Sequence, residues 1–131
     1  MDFKTFERPI TVNEKDIDEN GHVNNIVYLK WVQDIASAHW NSVATDHMKT
    51  DLLWVVSRHE IDYLKSALLN TKLFALTWVT DPRGAQSDRY VNICEVGTGI
   101  IIAKIKTTWY LLDAHSKRPK KIENDIATVF A

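Results

Sequence analysis

Cysteine is nearly absent from these 131 residues; the only one is Cys94. A single thiol excludes an internal disulfide framework and a cysteine-rich metal site, and it suits a reducing compartment. An excess of either charge is lacking too. With 16 basic and 17 acidic side chains the net charge is −1, so no global field gathers nucleic acid or a membrane surface, and the expected partner is small or protein-like. No apolar run approaches the length of a membrane span, and the residues after Met1 lack the apolar core of a signal peptide. The expectation is a soluble, cytoplasmic protein. Glycine is scarce, four in all, and no GxxxxGK loop is present, so nothing points to ATP or GTP chemistry. Repeats and low-complexity tracts are missing. What remains is 45% hydrophobic residues, enough to build a core in one domain over 1–131.

Polar chemistry is densest at 16–28, where Asp16, Asp18, Asn20, Gly21, His22, Asn24 and Asn25 precede a run of helical apolar spacing. Asn20-Gly21 favours a tight turn, because both residues tolerate positive φ. Asp, Asn and His just ahead of a helix can use its first free amides, which together bind anions and developing negative charge. That is the geometry of an oxyanion site.

Around this segment the periodicity predicts a first strand over 6–12, with Pro9 marking an edge or a strand start. A helix is expected over 23–43. One of its apolar stripes is Val27, Trp31, Ile35 and Ala38; another is Leu29, Val32, Ala36, Trp40 and Val43. A helix apolar around most of its circumference is wrapped by other structure. The polar stretch 45–51 reads as a loop, and strands follow over 53–64, 73–80, 89–96 and 100–112, rich in Val, Ile, Thr, Trp and Tyr. The links at 65–71, 81–88 and 97–99 are of hairpin length. A basic hinge at 116–121 and a short terminal helix over 123–130 complete the chain. The fold class is α+β, a curved antiparallel sheet wrapped around a long central helix. The strand 100–112, long and nearly continuously apolar, is expected at a sheet edge, pairing with its copy in a homodimer.

The motif Asp16-x-Asp18-x-x-Gly21-x-Val23-x-Asn25-x-x-Tyr28, followed by a long helix and four strands, resembles the 4-hydroxybenzoyl-CoA thioesterase branch of the hotdog-fold superfamily. Nearly the whole chain takes part: 61–67 looks like that branch's second strand and its exit, and 102–119 like its last strand and tail. The tighter form Asp18-x-Asn20-x-His22-Val23-Asn24-Asn25-x-x-Tyr28 is similar to the catalytic segment of plant-type acyl-ACP thioesterases, which carry two hotdog repeats where this chain has one. The resemblance implies hydrolysis of an acyl-CoA or acyl-ACP thioester in fatty acid metabolism, without a cofactor, in a homodimer or homotetramer whose sites lie between subunits. It implies that Asp18 is the catalytic carboxylate, as nucleophile or as general base for water, and that the backbone amide at Asn25 polarises the thioester carbonyl. Asn20 and His22 match the acyl-ACP type, which points away from an aromatic acyl group.

The chemistry requires a polarised carbonyl and an activated oxygen; Asp18 with His22 can supply the second, and helix amides the first. Asn20, which has no titratable proton, would orient the water or the carboxylate. The ordinary use of Asp18 and Asn20 is to cap the helix and shape the turn, and for Asp16 that use is the expected one. Tyr28 can line an acyl pocket or simply pack as a buried tyrosine with one satisfied hydroxyl. His39, His47, His59 and His115 show no ligand spacing, so no metal is expected. Cys94 reads as a core thiol. Basic residues at 116–121, or Arg83 with Arg89 beside a glycine-containing hairpin, are candidate phosphate contacts, with solvated charge as the default. Two other functions stay open: a hotdog dehydratase acting on 3-hydroxyacyl thioesters, and a non-catalytic acyl-binding dimer.

Overall fold

The computed structural model describes residues 3–131; Met1 and Asp2, at the start of the segment read above as lacking a signal core, lie outside the described residues. The elements are β1 (Phe6–Ile10), α1 (Asn25–Val43), α2 (Asp46–Asp51), β2 (Leu52–Tyr63), β3 (Leu73–Val79), β4 (Gln86–Glu95), β5 (Ile101–Asp113) and α3 (Asn124–Ala127). Single 3₁₀ turns lie at Glu14–Asp16 and Thr128–Phe130. One sheet holds all five strands in the order β1-β3-β4-β5-β2, and every pairing is antiparallel.

The expected helix and strands are present, with α1 starting at Asn25 and not at 23. Val23 is taken up in a bridge to Ile17, and Asn24 caps the helix, its Oδ1 accepting from the Ile26 amide at 3.2 Å. Residues 45–51 are not a loop. Thr45 Oγ1 accepts from the Met48 amide at 3.1 Å, a cap that closes one helical turn, α2. β4 begins at Gln86, ahead of the expected 89, because Arg83 and Gln86 exchange backbone hydrogen bonds at 2.9 Å around Gly84 and shorten the link.

Two expectations fail. β5 is not an edge: it sits between β4 and β2, and its apolar run reflects strands on both sides, with the exposed Lys104 on the outer face. The edges are β1, as Pro9 suggests, and β2. The link after β2 is not a hairpin either. It carries the chain from one edge of the sheet to the opposite half, and on the way the Leu64 and Lys65 amides donate to the Ile102 carbonyl (2.9 and 3.1 Å) while Ala67 accepts from Val23. A length that fits a hairpin also fits a crossing, when a helix end lies underneath to receive it.

The core lies between the concave face of the sheet and α1. Tyr28, Trp31, Val32 and Ile35 pack onto Leu73, Ala75, Val91, Ile93, Ala103 and Ile105. Each large apolar side chain removed from water there contributes roughly 1.5–3 kcal/mol, and the alanines on β3 and β5 keep the sheet surface low where the helix crosses it. Cys94 is buried, as expected of a core thiol, and burial pushes its ionisation upward. A second cluster, Leu111, Ile122 and Ile126 with Trp40, Met48 and Trp54, closes the other end of α1.

Candidate active site

The segment ahead of α1 folds as a small hairpin. Ile17 and Val23 pair across it, the Asp18 amide donates to the His22 carbonyl at 2.8 Å, and the Gly21 amide returns to the Asp18 carbonyl at 3.1 Å. Gly21 takes φ +80°, the left-handed position that closes a three-residue hairpin loop and that side chains resist. Beneath it the buried Asp16 carboxylate accepts from the Asn13 amide at 2.9 Å, and the Asp16 carbonyl accepts from Asn24. Asp16 is the structural member of the segment.

Asp18 divides its work between two oxygens. Oδ1 accepts from the Asn20 and His22 amides at 2.9 and 3.2 Å, the local turn-shaping role natural to Asp. Oδ2 has no hydrogen-bond partner among the described residues, so one carboxylate oxygen holds the loop and the other is left for a substrate or a water. The turn-shaping role thus leaves one carboxylate oxygen unused.

A cavity of about 210 Å³ joins this carboxylate to the helix start, lined by Asp18, His22, Asn25, Tyr28, Tyr63 and Lys65. Four of the five candidate residues thus meet on one surface. Asn20 does not line it: its amide serves Asp18, and its exposed side chain makes no hydrogen bond among the described residues. Asn25 contributes its backbone. Its amide has no acceptor among the described residues, as expected in the first turn of a helix, and the dipole of a 19-residue helix adds partial positive charge there. Its carbonyl accepts from the Tyr63 hydroxyl at 3.1 Å.

Tyr28 is buried, its ring edge-on to Trp31 at 5.1 Å and to Tyr63 at 5.3 Å. Burial raises its ionisation, with an opposing contribution from the Ala67 backbone, so it is a neutral wall. Lys65 donates to Glu95 Oε1 at 2.6 Å, which leaves the wall near neutral on that side. Tyr63 and Lys65 are residues that sequence reasoning does not single out as site members; the signal for Tyr63 is its place as the last residue of β2, where the chain turns over the helix start.

The phosphate candidates change. Arg83 is committed to Asp88 at 2.5 Å, and the Asp88 carboxyl is held below the usual range chiefly by that guanidinium. Arg89 is not on the surface: it is 5% exposed and faces α1. The 116–121 stretch is an ordered, solvated turn, Lys117 standing at φ 62° and its amide donating to Asp113.

Residues 3–130 match the family model of the acyl-ACP thioesterase N-terminal domain. No curated protein matches the chain by sequence. Among solved structures, a 1,4-dihydroxy-2-naphthoyl-CoA thioesterase from Synechocystis superposes with a TM-score of 0.84 at 14% identity, over 97% of this chain and 96% of that one. A thioesterase from Thermus thermophilus, complexed with coenzyme A and Zn, gives 0.82 at 22% identity over 95% and 90%. The 12:0-ACP thioesterase from Umbellularia californica gives 0.82 at 17% identity, over 97% of this chain and 54% of that one, so this chain spans about half its length. At these identities the likeness establishes the fold, the sheet and central helix of hotdog thioesterases.

Proposed function

The chain belongs to the acyl-ACP thioesterase N-terminal domain family, hotdog-fold hydrolases of acyl thioesters, and on that premise we propose that it cleaves acyl-CoA or acyl-ACP to the free acid and thiol at the Asp18 cavity. One observation carries the assignment: Asp18, with a carboxylate oxygen free among the described residues, and Asn25, with a helix-start amide likewise unpartnered, line the same small cavity. The thioester carbonyl oxygen accepts from the Asn25 amide, which stabilises the negative charge of the tetrahedral intermediate. Asp18 Oδ2 either takes a proton from the attacking water or itself attacks the carbonyl carbon, in which case water hydrolyses the acyl–Asp18 anhydride left by thiolate departure to the free acid and the carboxylate. In either case the thiolate needs little help to leave, since thiols ionise far more readily than alcohols. His22 stands at the cavity mouth, within the same loop, as a second proton carrier.

A homodimer or homotetramer, with sites shared between subunits, is part of this proposal. Edge strand β2 supports it: twelve residues long, it exposes Leu53 and Val55 on its outer face, an edge of the kind that pairs with another chain. Release of free thiol from a panel of straight-chain acyl-CoA and acyl-ACP substrates, run beside Asp18→Asn, tests the assignment. Turnover that vanishes in the variant is the expected result; equal turnover overturns it. Saturable binding with no thiol released from any substrate would instead identify an acyl-binding module.

A further inference from the structure

A second cavity, of about 330 Å³, lies between the C-terminal half of α1 and the sheet, and it shares no residue with the Asp18 cavity. That size falls within the range of small-molecule sites. Trp40, Trp54, Trp109, Leu52 and Phe130 make most of its wall apolar, and no acidic side chain among the described residues lines it.

Beside the uncharged Gln33, Ser37 and Ser87, one charged group stands in this wall. Arg89 is 5% exposed. Its Nη1 donates to His39 Nδ1 at 2.9 Å and to Thr77 Oγ1 at 3.0 Å, both neutral partners, and the guanidinium lies 5.4 Å from the Phe130 ring centre. Every hydrogen bond of this guanidinium among the described residues runs through Nη1, so Nε and Nη2 remain available. Trp54 and Trp109 line the same cavity, but their unpartnered Nε1–H groups have no accessible surface, so it is their rings that face it. A buried cation with no counter-charge among the described residues is costly unless something supplies the acceptors. Burial brings Arg89 down only to about 10, so it stays charged at neutral pH.

We propose that this cavity binds a free carboxylic acid with an apolar body, its carboxylate held by Arg89, at a site separate from the hydrolytic one. A carboxylate matches the planar fork of a guanidinium, supplies the missing negative charge, and leaves a hydrocarbon or aryl body to fill the tryptophan-lined remainder. The site thus takes the chemical class of the product of thioester hydrolysis, in a place where no thioester needs to react.

The test uses the full chain and measures direct binding of octanoate, 4-phenylbutyrate and the neutral isostere 1-octanol by calorimetry and tryptophan fluorescence. At least one carboxylate is expected to bind ten-fold or more tightly than octanol. Arg89→Met should abolish that preference, Arg89→Lys, which keeps the charge but not the planar fork, should weaken carboxylate binding several-fold, and Asp18→Asn should leave it unchanged. Should Arg89→Met fail to fold, Arg89→Lys decides. Equal binding of acids and alcohol, no binding of either acid, or carboxylate binding unchanged in Arg89→Met or Arg89→Lys would each overturn the proposal. Because no step is hydrolysis, an inactive protein that still binds octanoate through Arg89 would sink the catalytic reading and leave this one standing.

Discussion

At its start α1 opens onto solvent: Asn25 and Ile26 are exposed, Gly21 and His22 are exposed beside them, and Asp18 Oδ2 and the Asn25 amide go unmatched. At its other end the same helix is shut in. His39 is 2% exposed, stacked on Phe6 at 4.7 Å, edge-on to Phe130, and bonded to a buried guanidinium. The first end keeps polar groups unsatisfied within reach of water, where a substrate can use them; the second uses titratable side chains as packing. The proposed site and this packing lie at opposite ends of one helix, so substitutions at the two ends should separate in what they change.

The largest separation is expected from Asp18→Asn. The amide oxygen can still accept from the Asn20 and His22 amides, so the loop and the melting temperature should hold, whereas turnover should fall on the order of 1,000-fold or more, as when a nucleophile or essential base is removed. Steady-state thiol release beside thermal unfolding reads both quantities. A variant that loses stability and rate together would show that this end, too, is structural.

His39 should give the converse. Arginine only donates, so His39 Nδ1 must accept, which requires the neutral ring. Burial foremost, then the charge of Arg89, pulls its ionisation from 6.5 to about 4. The folded state therefore favours the neutral ring, and the stability it contributes is complete above pH 6.5 and is lost as the pH falls toward 4. At about 1.4 kcal/mol per pH unit the loss reaches about 3 kcal/mol. Urea unfolding between pH 7 and pH 4 should show this slope, and His39→Asn, which keeps an acceptor but does not titrate, should flatten it. An unchanged slope in the variant would assign acid sensitivity to other groups.

The exposed end is the more legible of the two in the sequence. Asn20-Gly21 announces its turn, Asp16 its structural use, and Pro9 its edge, because each acts through its own backbone neighbourhood. The buried end depends on partners distant in the chain. Arg89 lies on the same face of β4 as Val91 and Ile93, a parity visible in the sequence, yet its charge argues for the surface; only His39, Thr77 and Phe130, brought from three other elements, explain its burial. The position of β5 is hidden for a related reason. A long apolar strand looks the same whether its second neighbour is another strand of its own chain or a copy, and the crossing at 64–72 that brings β2 to its flank has the length of a hairpin.

Smaller effects grade the exposed end. Asn24→Ala removes the cap on Ile26 and should cost about 1 kcal/mol, read by chemical denaturation. It should also reduce turnover several-fold, since the loosened first turn contains the Asn25 amide. A stability loss with full activity would mean that the amide is positioned by the Asp16–Asn24 and Val23–Ala67 backbone bonds alone.

Tyr63→Phe should have the smallest effect and discriminates most finely. The phenylalanine ring keeps its edge-on contact with Tyr28, so only the hydroxyl bond to the Asn25 carbonyl is lost. That bond is exposed to water and Tyr63 is 45% accessible, which limits the stability cost to about 0.5 kcal/mol. If Tyr63 merely steadies residue 25, kcat should drop a few-fold with KM unchanged. A drop beyond about 100-fold would instead place the hydroxyl on the reacting carbonyl as a second oxyanion donor. The open end of α1 would then contain one more group held in reserve for substrate.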